Sequence, residues 1–343
     1  MKTTVTIKDI AEQLNLSRNT VAKALNGKYV PEATKTRVLN KAIELNYKSL
    51  NMKAEKTPKV KYRILLLACR PLNNIKFFSP VIRAIENYCF DKEYDLFQFT
   101  YNATMSTFEL LQEYIENLAI DGIIAIESFD DALIKKLFKL NKPISFIDCS
   151  INYTKFEGVF DVIETCNFEP VFEITKSLIN RYNIKHFTYV GDETHCLSFQ
   201  ERYHGMLCAL SSLGISHTKS EDILKSDNFD YGNIEMLKSA IINLKHKPDC
   251  FICGNDFIAR RICKAMESLG KKVPDDVLVV GFDNVAEAVA LNPKLTSVGS
   301  DTSTIGLKAI QTLISRIKKP NSTYIVHSVK STIVERQSTQ RQK

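Results

Sequence analysis

Ser17-Arg18-Asn19-Thr20, followed by Lys23, is the group of side chains whose types and spacing say most about chemistry. Arginine and lysine donate to guanine edges in the major groove of DNA, and asparagine pairs bidentately with adenine. A helix that turns Val21, Ala24 and Leu25 inward leaves Arg18, Asn19, Thr20 and Lys23 outside, where they can reach bases. A plain helical bundle with a solvated polar face would carry the same Arg-Asn pair, so the flanking pattern must separate the two readings. Upstream, Thr6 with Asp9 three residues on is a helix-start signature. Ile7, Ile10, Ala11 and Leu14 then recur at the spacing of one apolar helix face. Asn15 and Leu16 make a short turn, and Ser17 can cap the second helix. Asn26-Gly27 supplies a left-handed stop. A third amphipathic helix is expected from about Glu32 to Asn46, with Val38, Leu39, Ala42, Ile43 and Leu45 available for a small core. Residues 1–47 therefore read as an all-α helix-turn-helix DNA-binding domain.

The charge distribution fits such a head. Through Arg63 there are 14 Lys and Arg against 5 Asp and Glu, hence +9; the remainder has 32 against 34, hence −2. Phosphate neutralisation dominates affinity for nucleic acid, and a basic end on a nearly neutral body suits it. Residues 48–61 are polar and basic, with Lys48, Lys53, Lys56, Pro58, Lys59 and Lys61, and read as a linker or hinge.

Beyond Tyr62, short apolar runs alternate with helix-length segments. Candidate strands are 63–69, 95–99, 122–126, 144–147, 187–190, 250–253 and 277–282. This rhythm predicts parallel sheets flanked by helices. About ten strands over 280 residues are too many for one doubly wound unit, so two lobes are expected, with ligand at the carboxyl ends of the strands. A boundary is expected near Val162 to Asn167.

Common enzyme signatures are missing. There is no phosphate-binding Gly-x-x-x-x-Gly-Lys, no Gly-x-Ser-x-Gly, and Cys69-Arg-Pro-Leu stands where a dinucleotide glycine loop would follow the first strand. Cys250 and Cys253, three apart on a strand, face opposite sides and pack in the core rather than share a metal. The six histidines show no ligand spacing and read as surface or loop residues. Nine scattered cysteines read as reduced, mostly buried thiols. The expectation is no enzyme, no metal and no cofactor. With no apolar run of 18 residues and no signal-like start, a cytoplasmic protein without membrane contact is expected.

Val5-Thr-Ile-Lys-Asp-Ile-Ala and Thr20-Val-Ala-Lys-Ala-Leu-Asn-Gly resemble the N-termini of the lactose-repressor and galactose-repressor family of bacterial transcription regulators. The resemblance continues through Asp121-Gly-Ile-Ile124, Ile147-Asp148, Arg202 with Gly205, Gly254-Asn-Asp256, Val280-Gly-Phe-Asp283, Pro293-Lys-Leu-Thr296 and Glu335-Arg-Gln-Ser-Thr339. It implies an all-α helix-turn-helix head joined to an α/β two-lobed periplasmic-binding-protein-like effector and dimerisation domain at 62–343. Lobe one would hold about 62–165 and 295–324, lobe two about 166–294 and 325–343. A homodimer would place two recognition helices in successive major grooves of a palindromic operator. Arg18, Asn19 and Lys23 would read bases, Ser17, Thr20 and Asn26 would touch phosphates, and Thr6 belongs with this DNA-facing set.

The resemblance also implies an effector pocket with Phe78 as an apolar wall and Asp148, Arg202, Asn255 and Asp283 as polar groups. These suit a polyhydroxylated ligand, a sugar or sugar derivative. Alone, Asp283 could instead cap a helix and Asp148 could end a strand. The chain departs from the family at two points. Ser49 and Lys56 stand where a hinge proline and a minor-groove leucine are usual, with Leu50 or Met52 as substitutes. Cys166-Asn167 replaces a common Asp-Asn pair, so a capping or hinge contact is expected to be lost. With no tryptophan, any stacking must come from Phe or Tyr, with Tyr203, Phe229 and Tyr231 as candidates. The alternative function is a cytoplasmic sugar-binding sensor without direct operator control.

Overall fold

A computed structural model describes residues 5–25, 28–45, 47, 61–69, 75–101, 108–156, 160–225 and 229–341. The chain divides into two compact units, residues 1–61 and 62–343. Asn26, Gly27 and the expected hinge through residue 60, Leu50 and Met52 included, lie outside the described residues.

The first unit holds α1 (Ile7–Leu14), α2 (Arg18–Leu25) and α3 (Glu32–Glu44). Ile10 and Ala11 of α1, Val21 and Ala24 of α2, and Val38 and Ala42 of α3 close a small core with Val30. The start of α1 is fixed by Asp9, whose carboxylate accepts from the Thr6 N–H at 2.6 Å and the Thr6 hydroxyl at 2.7 Å. Asn15 ends α1 in the left-handed conformation, φ 50°. The Ser17 hydroxyl accepts the Thr20 N–H at 3.0 Å, the expected cap on α2.

The second unit contains two sheets. Strands β1 (Arg63–Ala68), β2 (Asp95–Thr100), β3 (Gly122–Ser128), β4 (Ile144–Cys149), β5 (Phe160–Thr165) and β10 (Val326–Val329) form one, in the order β10-β5-β4-β3-β1-β2. All its pairings are parallel. Strands β6 (Phe187–Val190), β7 (Cys250–Cys253), β8 (Leu278–Phe282), β9 (Thr296–Ser300) and β11 (Ser331–Val334) form the other, in the order β11-β9-β8-β7-β6, with β11 antiparallel at its edge.

Strand alternation supplies a separate core to each face. In β1, Leu65 and Leu67 point to one cluster while Ile64 and Leu66 point to the other. Cys250 and Cys253 likewise fall in different clusters on the second sheet, as their spacing requires. All nine cysteines are free thiols, and only Cys208 is exposed.

Helices α4 (Ile75–Lys92), α5 (Phe108–Asn117), α6 (Asp131–Phe138) and α12 (Thr302–Lys318) flank the first sheet. The second carries α7 (Phe168–Tyr182), α8 (Leu197–Ser212), α9 (Ile234–Ile242), α10 (Asp256–Ser268) and α11 (Ala286–Ala290). Where α7 crosses α8, Gly205 brings the backbones together; a Cβ there would lie 2.5 Å from the Phe168 carbonyl oxygen.

Two expected boundaries are corrected. Residues 296–300, assigned to lobe one, pair with β8 in the second sheet, so the return crossing lies at Asp301, which caps α12 through the Ser303 and Thr304 N–H groups. Residues 326–329, assigned to lobe two, pair with β5 in the first sheet, so the last crossing falls at Lys330. A short strand such as Thr-Ser-Val-Gly-Ser or Val-His-Ser-Val carries no label for the sheet it joins. A buried pair secures the first lobe: Arg316 donates to Asp161 at 2.6 and 3.0 Å, and Asp161 also accepts the Ile325 N–H at 2.8 Å.

Candidate functional site

The five residues expected to form an effector pocket converge. Phe78, Asp148, Arg202, Asn255 and Asp283 all line a cavity of about 490 Å³ inside the second unit. Its walls come from the carboxyl ends of β3, β4 and β5 in the first lobe and from α8, the start of α10 and the end of β8 in the second. Such strand ends are where open α/β sheets bind ligands.

Arg202 organises the second-lobe side. It is 5% exposed, donates Nε–H to Asn167 Oδ1 at 3.0 Å and an Nη1–H to the Gly254 carbonyl at 2.6 Å. The same Nη1 lies 3.9 Å from Asp283, and the guanidinium carbon sits 3.5 Å from the Phe282 ring centroid. Four partners leave it one orientation.

Asp148 belongs to the first lobe but accepts the hydroxyl of Ser198, on α8 of the second, at 2.6 Å. Lys76 pairs with Glu287 across the same cleft, and the Phe129 and His195 rings meet edge to face at 4.8 Å. Contacts that bridge two lobes must break or stretch whenever the cleft opens.

The backbone is strained where it faces the cavity. Glu127, Asp148 and Asp283 have φ of 55°, 57° and 98°, a region side-chain-bearing residues rarely adopt. Such strain persists only where the surroundings enforce it, and it collects at ligand sites. At the start of α11 the Val285 N–H donates to Asp256. Burial, then the charge of Asp283, pushes the Asp256 carboxyl up to about 7. Asn255 does cap a helix, its side-chain oxygen accepting the Ile258 N–H at 3.0 Å.

The Cys166-Asn167 pair supplies no side-chain cap to α7: the Cys166 thiol donates to Glu169, while Asn167 bonds Thr165, Glu201 and Arg202. Tyr203 is no stacking platform, being buried with its hydroxyl donated to Asp222 at 3.0 Å, whereas Phe229 and Tyr231 do line the cavity. Two of the histidines, both in loops as expected, make specific contacts: His195 lines the cavity and the His217 ring lies against Asp222 at 2.9 Å. Sequence reasoning missed Glu127, Glu164, His195, Ser198 and Phe199. Glu127 ends the apolar run of β3 as Asp148 ends that of β4, and this parallel was the available signal.

On the first unit, Arg18, Asn19 and Lys23 of α2 are exposed, as base reading requires, while Thr20 is half-buried and shares a 2.8 Å hydroxyl hydrogen bond with Ser17. Thr6 is exposed at the head of α1. Tyr29, 93% exposed beyond α2, is an additional aromatic group on this unit. Among the described residues no group of His, Cys, Asp and Glu is arranged to hold a metal, and no helix is long and apolar enough to cross a membrane.

A helix-turn-helix head followed by a two-lobed, ligand-cleft body defines a class, the DNA-binding regulators built on a periplasmic-binding-protein-like domain. Residues 6–49 match the lacI family of bacterial regulatory proteins, and residues 178–339 match the periplasmic binding protein-like domain. These two matches are the two-part make-up of the lactose-repressor/galactose-repressor (LacI/GalR) family of transcriptional regulators, which the chain resembles along its length. It is 26% identical over 347 residues to the HTH-type transcriptional repressor PurR of Aliivibrio salmonicida, covering 97% of this chain and 98% of that one. In fold it resembles the transcriptional regulator CelR in complex with cellobiose, with a TM-score of 0.70 at 19% identity and coverage of 97% and 99%. It also resembles the lac repressor dimer bound to operator and the anti-inducer ONPF, with a TM-score of 0.63 at 20% identity and coverage of 99% and 100%.

Proposed function

We propose that this regulator is a cytoplasmic homodimeric repressor that binds a palindromic operator and is controlled by a small polar effector, a sugar or sugar derivative, held between its two lobes. The observation that carries the reading is the convergence of Phe78, Asp148, Arg202, Asn255 and Asp283 on one cleft, with Arg202 tied to Asn167 beside the lobe crossing. Carboxylates accept from ligand hydroxyls, the guanidinium donates to ring or hydroxyl oxygens, and the aromatic wall covers an apolar ring face. Ligand that bridges Asp148 and Arg202 would favour the closed lobes, and residues 48–61 would carry that change to the heads. Arg18, Asn19 and Lys23 are the assigned base readers, with Thr6, Ser17, Thr20 and Asn26 around them.

The test is selection of duplexes from a random pool by the full-length protein at about physiological salt, followed by effector titration on the selected operator. A palindromic consensus, released or tightened by one small molecule, supports the reading. Asp283→Asn is expected to abolish that response while leaving effector-free operator affinity within about twofold, since its contacts lie in the cleft. A monomeric half-site consensus, or an effector response intact in Asp283→Asn, overturns it.

A further inference from the structure

The cavity is more acidic than recognition of neutral hydroxyls calls for. Glu127, Asp148, Glu164, Asp192, Asp230 and Asp283 face it, against one guanidinium among the described residues. That guanidinium is committed to Asn167, the Gly254 carbonyl and Asp283. The most telling of the acids is Glu164, on β5. Its Oε2 is buried with no hydrogen-bond partner among the described residues. Every charge acting on it is negative, from Glu201, Asp148 and Glu169, and with burial as the first cause these push its carboxyl up to about 8. A buried acceptor without a donor is costly unless something arrives to supply one.

The other walls suit the same visitor. Phe77, Phe78, Phe129, Phe199 and Tyr231 put ring surface around the carboxylates, and aromatic faces attract organic cations as acids do. A neutral polyol would donate hydroxyls to these acids yet leave their charge uncompensated in a cavity partly closed to water.

Resting on the reading of the cleft as the effector site, we propose that the effector carries a protonated amino group, in the manner of an amino sugar or aminated polyol, whose ammonium lies against Glu164 and Asp148. The ring or chain bearing it packs on the phenylalanine wall, and its hydroxyls reach Arg202, Asn255 and Asp283. Specificity then comes in two parts: the ammonium is selected by the first lobe, and the hydroxyl pattern by the second.

The test uses the full-length protein and matched pairs differing by one amine: glucosamine and glucose, galactosamine and galactose, glucamine and sorbitol, benzylamine and benzyl alcohol. Binding is read by calorimetry and by shift of the unfolding temperature, with glucuronate as an anionic probe. At least one amine is expected to bind at least tenfold tighter than its neutral partner, glucuronate not at all, and Glu164→Gln to remove that preference. Without ligand, Glu164→Gln is expected to unfold at a higher temperature than the parent above pH 8, because it removes an uncompensated buried carboxylate. Neutral members binding as well as the amines, with binding lost in Asp283→Asn, would overturn the cationic effector and keep the cleft as the site. Binding that survives in Asp283→Asn overturns the cleft reading as well. Failure of every amine to bind, or a Glu164→Gln variant that keeps the amine preference and gains no stability, overturns the proposal.

Discussion

Arg18 and Thr20 stand two residues apart on α2 and differ in what they can know about a DNA sequence. An exposed guanidinium reaches base edges, where the pattern of donors and acceptors identifies the pair, while a hydroxyl already shared with Ser17 can offer a phosphate contact without reading anything. Arg18→Ala and Asn19→Ala are therefore expected to relax preference at particular operator positions, at about 1–3 kcal/mol each. Thr20→Ala should weaken all sequences alike. Binding assays on an operator series with single base-pair changes check this, and uniform weakening by Arg18→Ala would remove its assigned role. His217 gives a second prediction at this scale. Burial lowers its pKa, but the Asp222 hydrogen bond and the charges of Asp222 and Glu221 outweigh that, so the folded value lies above the ordinary 6.5. A raised folded pKa means the imidazolium stabilises the fold below about pH 6.5, and that contribution is lost as pH rises through the folded value. His217→Gln should flatten this part of the stability profile in denaturant unfolding measured across pH 5.5 to 8.5; an unchanged slope would rule the ion pair out as its source.

Among elements, β5 and α12 share the most demanding junction, the buried pair of Asp161 and Arg316. Asp161→Ala takes the carboxylate from a guanidinium that is 2% exposed, leaving it only the Ser322 and Thr323 oxygens, and removing one partner of a buried ion pair costs about 3–5 kcal/mol. Urea unfolding is expected to show that loss, whereas replacing both partners by apolar residues should recover much of it. The elements themselves were largely legible in the chain. Periodicity locates α1 and α2 because their apolar residues have a single face to fill, and it locates β1, β3 and β7 because strands covered on both sides read as continuous apolar runs. Sheet membership was not legible. Thr296–Ser300 and Val326–Val329 look alike as sequence, and only partner strands decide that the first belongs with β8 and the second with β5. For the cleft, residues in family landmarks were found, whereas Glu164 was not, because it sits inside an ordinary strand pattern. His195 and Phe199 were hidden for another reason: they matter through where α8 and the loop before it are carried in space.

At the scale of the whole molecule, charge and coupling make separate predictions. With +9 through residue 63 and −2 beyond it, operator affinity should fall steeply with salt, with slope near −0.9 per phosphate neutralised, while effector affinity should be far less salt-dependent; parallel titrations at 50 and 200 mM salt check the contrast. Coupling between the sites must be reciprocal. An effector that changes operator affinity by ~5–150-fold must have its own affinity changed by the same factor when operator is bound. Unequal factors, measured in the two directions under one condition, would mean that the titrations were not at equilibrium.

The order in which the chain visits its lobes also bears on how the protein is made. The second lobe takes all but one of its strands, and all its α-helices, from one continuous stretch, 168–300. The first lobe has its opening five strands early, yet it lacks α12 until residue 318 and β10 until residue 329. As the polypeptide leaves the ribosome, the face of the first sheet holding Ile64, Leu66, Ile124 and Ile163 therefore has α4 but waits for α12, and Asp161 waits for its arginine, through the synthesis of some 150 further residues. The lobe begun first thus waits longest for its last core helix, and each lobe receives its edge strand only near residue 330. A nascent chain stalled before α12 emerges should carry a protease-resistant second lobe beside a first lobe that is still cleavable.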